Sequence, residues 1–154
     1  VKNMGVGDIC SREVVTIAAD ASLGFAAHLM REKHVGMLVV VGPAAEHADQ
    51  FVQGVLTDRD IVVTVVGRDA EPQDFKVMDV MTRNPLLIAE GTSVASAVRL
   101  MRTSGVRRVP VVGARNELVG VLSIDDVLDV MADQLAAISG AIRGEQARER
   151  VTRP

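Results

Sequence analysis

Two short strings carry residue types that hold small molecules. In Gly54-Val55-Leu56-Thr57-Asp58-Arg59-Asp60 a glycine leads an apolar run, a hydroxyl stands where the run ends, and a carboxylate follows three residues on. Gly120-Val121-Leu122-Ser123-Ile124-Asp125-Asp126 repeats the arrangement. The apolar run reads as a strand and the residues after the hydroxyl as the start of a helix. The first N–H groups of a helix have no partner within it and carry partial positive charge, which suits a ligand with hydroxyls and phosphates. A carboxylate at that junction accepts hydrogen bonds from both hydroxyls of a ribose, as in dinucleotide-binding folds. Thr57 with Asp60, and Ser123 with Asp126, also read as capping boxes that only finish a helix. Recurrence of the whole string, and a leading glycine that a cap does not require, favour the ligand.

A second cluster is Arg107-Arg108, at the entrance of Val109-Pro110-Val111-Val112. Guanidinium groups match phosphate geometry. Adjacent strand residues point to opposite faces, so one arginine is expected in a cleft and the other in solvent. The corresponding residues of the first string are Gly36 and Met37, with His34 just before. Phosphate contacts are therefore expected to be stronger in the second string's half, and Asp126 to matter more than Asp60. Other chemistries find no residues: there is no G-x-S-x-G elbow, no G-x-G-x-x-G or Walker loop, and no convincing metal-ligand spacing. His28 reads as a helix-surface residue and His47 as part of a loop. With no candidate base, nucleophile or metal cluster, an enzyme is not expected.

The elements that position these residues come in two copies. Asp8-Ile9-Cys10-Ser11-Arg12 aligns with Asp79-Val80-Met81-Thr82-Arg83, Ile17 with Ile88, Ser22 with Ser93, and Leu29-Met30-Arg31 with Leu100-Met101-Arg102. The first copy is longer by an insertion within residues 42–50. Each copy predicts a short strand (14–17; 86–88) and a helix capped by Ser22 or Ser93. The helix buries Leu23, Ala26, Ala27 and Met30, or Val94, Ala97, Val98 and Met101. Two strands follow (37–41 and 52–56; 109–112 and 118–122), then a second helix from about Asp58 or Ile124. The expected fold is α/β (α+β): two β-α-β-β-α motifs, at 6–63 and 77–131, packed sheet to sheet with pseudo-two-fold symmetry. Residues 64–76 read as a polar linker. Residues 132–154 read as a helical extension, with Leu135, Ile138 and Ile142 on one face and a charged end, from 143 on, that frays.

The bulk numbers agree. A chain of 154 residues, 48% hydrophobic and 24% charged, can bury a core. With no Trp, no Tyr and three Phe, a nucleobase must be held by aliphatic walls, and a stacking platform for single-stranded nucleic acid is missing. A net charge of −3 also argues against a polynucleotide. Cys10 is the sole cysteine, which excludes an intramolecular disulfide. The most apolar stretch, 35–41, is far short of the ~20 residues that span a bilayer, and no charged-then-apolar leader opens the chain. A soluble cytoplasmic protein, bound to neither membrane nor nucleic acid, is expected.

The repeated unit resembles the CBS motif, named after cystathionine β-synthase, over about residues 6–131. Residues 54–62 (Gly-Val-Leu-Thr-Asp-Arg-Asp-Ile-Val) and 106–112 (Val-Arg-Arg-Val-Pro-Val-Val) are its strongest parts. The resemblance implies a Bateman module with two pseudo-symmetric clefts for AMP, ADP, ATP or S-adenosylmethionine. It implies ribose contacts from Asp60 and Asp126, with Thr57 and Ser123 near sugar or phosphate. Phosphate would fall to Arg107, and the adenine slot to Thr16, Ile17 and Leu87 with Val39 and Pro110. Gly36 and Val39 depart from the pattern, so one cleft is expected to be the weaker. Such modules usually form homodimers through their helices. With no effector domain in this chain, the regulated target is expected to be a separate protein. The competing reading is a ligand-free structural dimerisation module.

Overall fold

The computed structural model describes residues 4–42 and 50–152. Most of the insertion at 42–50, His47 included, lies outside the described residues. The first copy comprises β1 (Thr16–Ala18), α2 (Leu23–Lys33), β2 (Met37–Val41), β3 (Val52–Thr57) and α3 (Asp58–Val65), preceded by a short helix α1 (Val6–Ile9). The second comprises α4 (Val77–Val80), β4 (Thr82–Arg83), β5 (Ile88–Ala89), α5 (Val94–Ser104), β6 (Arg108–Val112), β7 (Leu118–Ser123) and α6 (Ile124–Thr152). One sheet has the order β1-β2-β3-β4 and the other β5-β6-β7. β1 runs parallel to β2, which demands the crossover helix α2, and β2 is antiparallel to β3; β5, β6 and β7 repeat this.

Local chemistry accounts for the helices. Ser22 Oγ accepts from Phe25 N at 3.1 Å, and Ser93 Oγ accepts from Ser96 N at 3.2 Å, as N-caps do. Both helices end on a left-handed residue, His34 (φ 56°) and Gly105 (φ 66°). The buried stripe is Leu23, Ala26 and Met30 in α2, and Val94, Ala97 and Met101 in α5. Ala27, expected in that stripe, is exposed, and Val98 is only half-buried; the sheet is covered by a face narrower than the periodicity predicts.

The central strands are buried on both faces. Leu38 and Val40 point into the cluster of Leu23, Met30 and Leu56, and Val109 and Val111 into that of Ile88, Met101 and Leu122. The alternate residues, Val39 and Pro110, are buried on the opposite face, toward the other copy. Apolar residues at every position of β2 follow from this double burial.

The sequence-based division into copies misses an exchange. α1 precedes the first copy, yet Val6 packs in the second copy's cluster, with Met4, Ile9 and Cys10 against it. Reciprocally, Val77 packs with Leu23 and Leu56, and Val80 and Met81 lie against that first cluster. Val6 N and Gly7 N donate to Thr92 O and Glu90 O, both at 2.8 Å; Val77 N and Met78 N donate to Ala21 O and Ala19 O at 2.8 and 2.9 Å. Beyond these helices Ser11 bridges Val121, and β4 pairs Thr82 with Val55. Full burial of a valine stabilises by about 1.5–3 kcal/mol, so each core draws on the other copy's leading segment.

Gly54 and Gly120 admit these crossing segments. A Cβ on Gly120 would lie 2.7 Å from Ser11 O and 2.8 Å from Cys10 Sγ; on Gly54, 2.7 Å from Thr82 O and 2.8 Å from Met81 Sδ. The glycine leading each string is thus explained by close backbone approach, and it no longer favours a ligand. Helix α6 runs unbroken to Thr152, where fraying was expected from 143, and its one buried residue is Val127. Leu128, Met131, Leu135, Ile138 and Ile142 form an exposed stripe along it.

Candidate functional site

Two cavities lie between the copies. The larger, about 360 Å³, is lined by Thr57, Asp58, Arg59 and Asp60 from the β3–α3 junction and by Pro85, Leu86, Val106, Arg107, Arg108 and Pro110 from the second copy. The smaller, about 240 Å³, is lined by Ser123 and Asp126 from the β7–α6 junction and by Glu13, Val14, Val15, His34, Val35 and Val39 from the first. Gly36, Met37 and Arg108 border both. Each cleft therefore joins the acid of one copy to the wall of the other. This reverses the expected partnership: Arg107 and Pro110 share a cleft with Asp60, and Asp126 faces Gly36 and Val39.

Both acids complete capping boxes. Thr57 N donates to Asp60 Oδ2 at 2.9 Å and Asp60 N to Thr57 Oγ1 at 3.2 Å; Ser123 N donates to Asp126 Oδ2 at 2.9 Å and Asp126 N to Ser123 Oγ at 3.1 Å. The box fixes each carboxylate through Oδ2. Oδ1 of Asp60 and of Asp126 has no protein partner among the described residues, which leaves one acceptor oxygen per cleft for a ligand hydroxyl. Cap and ligand are compatible roles here.

The anion site expected at the start of α3 does not form. Asp58 N donates to Gly36 O at 3.0 Å, Arg59 N to Asp58 Oδ1 at 2.8 Å, and Asp60 N to the Thr57 hydroxyl. These amides are spent on the protein, so a phosphate must be met by side chains. Arg107 and Arg108 both line the larger cleft, where one was expected to face only solvent; Arg108 precedes the buried part of β6 and borders both cavities. Arg107 Nη2 lies 3.7 Å from Asp125 Oδ1, with the two side chains 79% and 61% exposed. A pair so exposed contributes about 0–1 kcal/mol and yields readily to a phosphate. Asp125, a predicted contact, lines neither cavity and instead tethers that arginine.

Of the five residues expected to hold adenine, Val39 and Pro110 each line a cavity. Thr16, Ile17 and Leu87 line neither cavity; Ile17 points into the first core. The residues just before each strand, Val14 with Val15 and Pro85 with Leu86, occupy the clefts instead. They were missed, as were Ser11, Glu13, Thr82, Val35 and Val106. Their one signal is that Val14 and Pro85, Val15 and Leu86, and Val35 and Val106 are equivalent positions of the repeat. Cys10 packs, half-buried, against the second core, where burial raises its thiol pKa above the ordinary value of 9.0, Arg12 opposing.

Among the described residues no group of three or more His, Cys, Asp or Glu is placed to hold a metal ion, and no helix is long and apolar enough to cross a membrane.

Comparison with known proteins places this arrangement in context. A family model described as CBS domain matches residues 6–67 and 77–133. An uncharacterized protein of Methanopyrus kandleri is 30% identical over 138 residues, spanning 90% of this chain and 68% of its own. The CBS domain-containing protein YhcV of Bacillus subtilis is 32% identical over 126 residues, 79% of this chain and 81% of its own. The crystal structure of the CBS-pair protein CBSX2 from Arabidopsis thaliana superposes with a TM-score of 0.75 at 25% identity, covering 87% of this chain and 98% of that one. A structure of CBSX2 in complex with AMP superposes with a TM-score of 0.68, covering 84% and 97%.

Proposed function

The chain belongs to the CBS-domain family, and from that premise we propose that it is a non-catalytic sensor that binds an adenine nucleotide in the cleft shared by Asp60, Arg107 and Pro110. The observation that carries this reading is the convergence, on one cavity, of an oriented carboxylate from the first copy and two arginines from the second. Asp60 Oδ1 accepts from the ribose diol, with the Thr57 hydroxyl beside it. Arg107 leaves its exposed partner Asp125 and, with Arg108, meets the phosphate. The base lies between Pro85, Leu86, Val106 and Pro110, an aliphatic slot consistent with a chain that has neither Trp nor Tyr. AMP, ADP and ATP fit this charge pattern, and S-adenosylmethionine shares the adenosine half. The AMP complex of CBSX2 supports the class of ligand.

A ligand spanning both copies regulates only if it binds one arrangement of them more tightly than another. The exchanged segments make that arrangement a property of both cores. The exposed stripe on α6, with Val62, Val63 and Val66 on and beside α3, supports a homodimer formed through helices. A separate effector protein would read the change.

One observation favours the second reading, a ligand-free structural module: both capping boxes are complete without a ligand. Thermal unfolding with AMP, ATP and S-adenosylmethionine separates the two. A bound nucleotide at 100 times its Kd stabilises by about 2.7 kcal/mol, which raises the midpoint by several degrees. No shift with any of the three leaves the structural module.

A further inference from the structure

We propose that the two clefts sort adenosine compounds by charge: the Asp60 cleft takes the phosphorylated nucleotide, and the Asp126 cleft takes an adenosine compound without phosphate. This rests on the proposed function and assigns the second cleft its own ligand class.

The clefts are related by the repeat but differ in charge: two arginines and one acid, Asp58, of the larger have no charged counterpart lining the smaller, which gains Glu13. Arg107 of the larger cleft is equivalent to Gly36, Arg59 to Asp125, and Asn84, which lines neither cavity, to Glu13. The larger cleft sets Arg59, Arg107 and Arg108 against Asp58 and Asp60. The smaller sets Arg108 alone against Glu13 and Asp126, with His34 at the position of Gly105. A phosphate meets two carboxylates in either cleft, but in the smaller a single guanidinium stands against them instead of three, and the uncompensated like charge opposes binding. A neutral adenosine meets no such opposition. Its ribose has Asp126 Oδ1, and its base has Val14, Val15, Val35 and Val39. The smaller volume, about 240 Å³ against about 360 Å³, fits a ligand without a phosphate tail.

Arg108 strengthens the sorting. It borders both cavities, and one guanidinium cannot serve two phosphates. When a nucleotide in the larger cleft engages Arg108, the smaller is left with its two acids and no arginine.

The test is titration calorimetry of the full chain with AMP and with adenosine at pH 8. AMP is expected to bind one site per chain, and adenosine to bind the AMP-saturated protein at a second. Arg107→Ala is expected to weaken AMP by about tenfold or more while moving the second-site adenosine affinity by less than about twofold. Asp126→Asn, which keeps an acceptor for Ser123 N, is expected to do the reverse. AMP filling two equal sites per chain, or adenosine failing to bind the AMP-saturated protein, overturns the sorting but leaves the nucleotide sensor standing. Binding of neither compound overturns both.

Discussion

The substitution Asp60→Asn separates the two roles that converge on one carboxylate. Asparagine offers an acceptor oxygen to Thr57 N, so the cap at 2.9 Å survives and stability changes little. What disappears is the second, charged acceptor oxygen, which an NH2 donor replaces. A hydrogen bond to a charged group contributes about 1.5–3 kcal/mol, so AMP binding is expected to weaken by about ten- to 150-fold. Asp60→Ala also removes the bond from Thr57 N, although the Thr57 hydroxyl still caps the helix through Asp60 N. It should lose the same affinity and about 1 kcal/mol of stability, a fall of about 2–4 °C in Tm for a chain of this size. Asp126→Asn, in the cleft without Arg107, should leave AMP affinity within about twofold of the parent. The assay is calorimetric titration at low salt, with thermal unfolding of each apo variant as the folding control. If Asp60→Asn binds AMP like the parent, or if Asp126→Asn loses as much, the assignment of acid to cleft is wrong.

Other positions give independent checks. Gly120→Ala places a Cβ 2.7 Å from Ser11 O and should cost about 1–3 kcal/mol in chemical denaturation, whereas Gly140→Ala, with open space around it in α6, should stabilise by up to about 1 kcal/mol. Leu135→Asp with Ile138→Asp breaks the exposed stripe and should convert a dimer to monomer by light scattering, with no loss of monomer stability, because both side chains are exposed; an unchanged mass would exclude α6 from the interface. Burial raises the Cys10 thiol pKa, so its contribution to stability is full below its ordinary 9.0 and is lost as pH rises through the raised value. Denaturation midpoints should fall as pH rises above 9.0, and Cys10→Ala should remove part of that decline.

Much of the fold is legible in the sequence because it is written twice. Ser22 and Ser93 announce their helices, the Val-rich runs their strands, and the repeat itself the pseudo-symmetry. Two features are not legible, and for one reason: they are made between copies. The repeat aligns the segments around Asp8 and Asp79 but predicts no helix there, and it cannot show that Val6 and Val77 each pack in the other half's core. It likewise assigns Arg107 and Asp126 to one copy, and proximity in sequence then suggests one cleft. The fold instead pairs Arg107 with Asp60 across the pseudo-axis. The start of α3 misleads differently. Its free amides are a general rule for helix ends, and here Gly36 O, Asp58 Oδ1 and Thr57 Oγ1 satisfy them locally. Thr16, Ile17 and Leu87 come from the family resemblance alone, and the cavities are lined instead by Val14, Val15, Pro85 and Leu86, where the chain runs just before the strand.

A crystal structure of the chain grown with AMP bears most directly on the central claim. The account predicts the ribose diol on Asp60 Oδ1, the phosphate on Arg107 and Arg108, and the base against Leu86 and Pro110. Adenylate bound away from Asp60, or seated on Asp126 with Arg107 still held by Asp125, would contradict it.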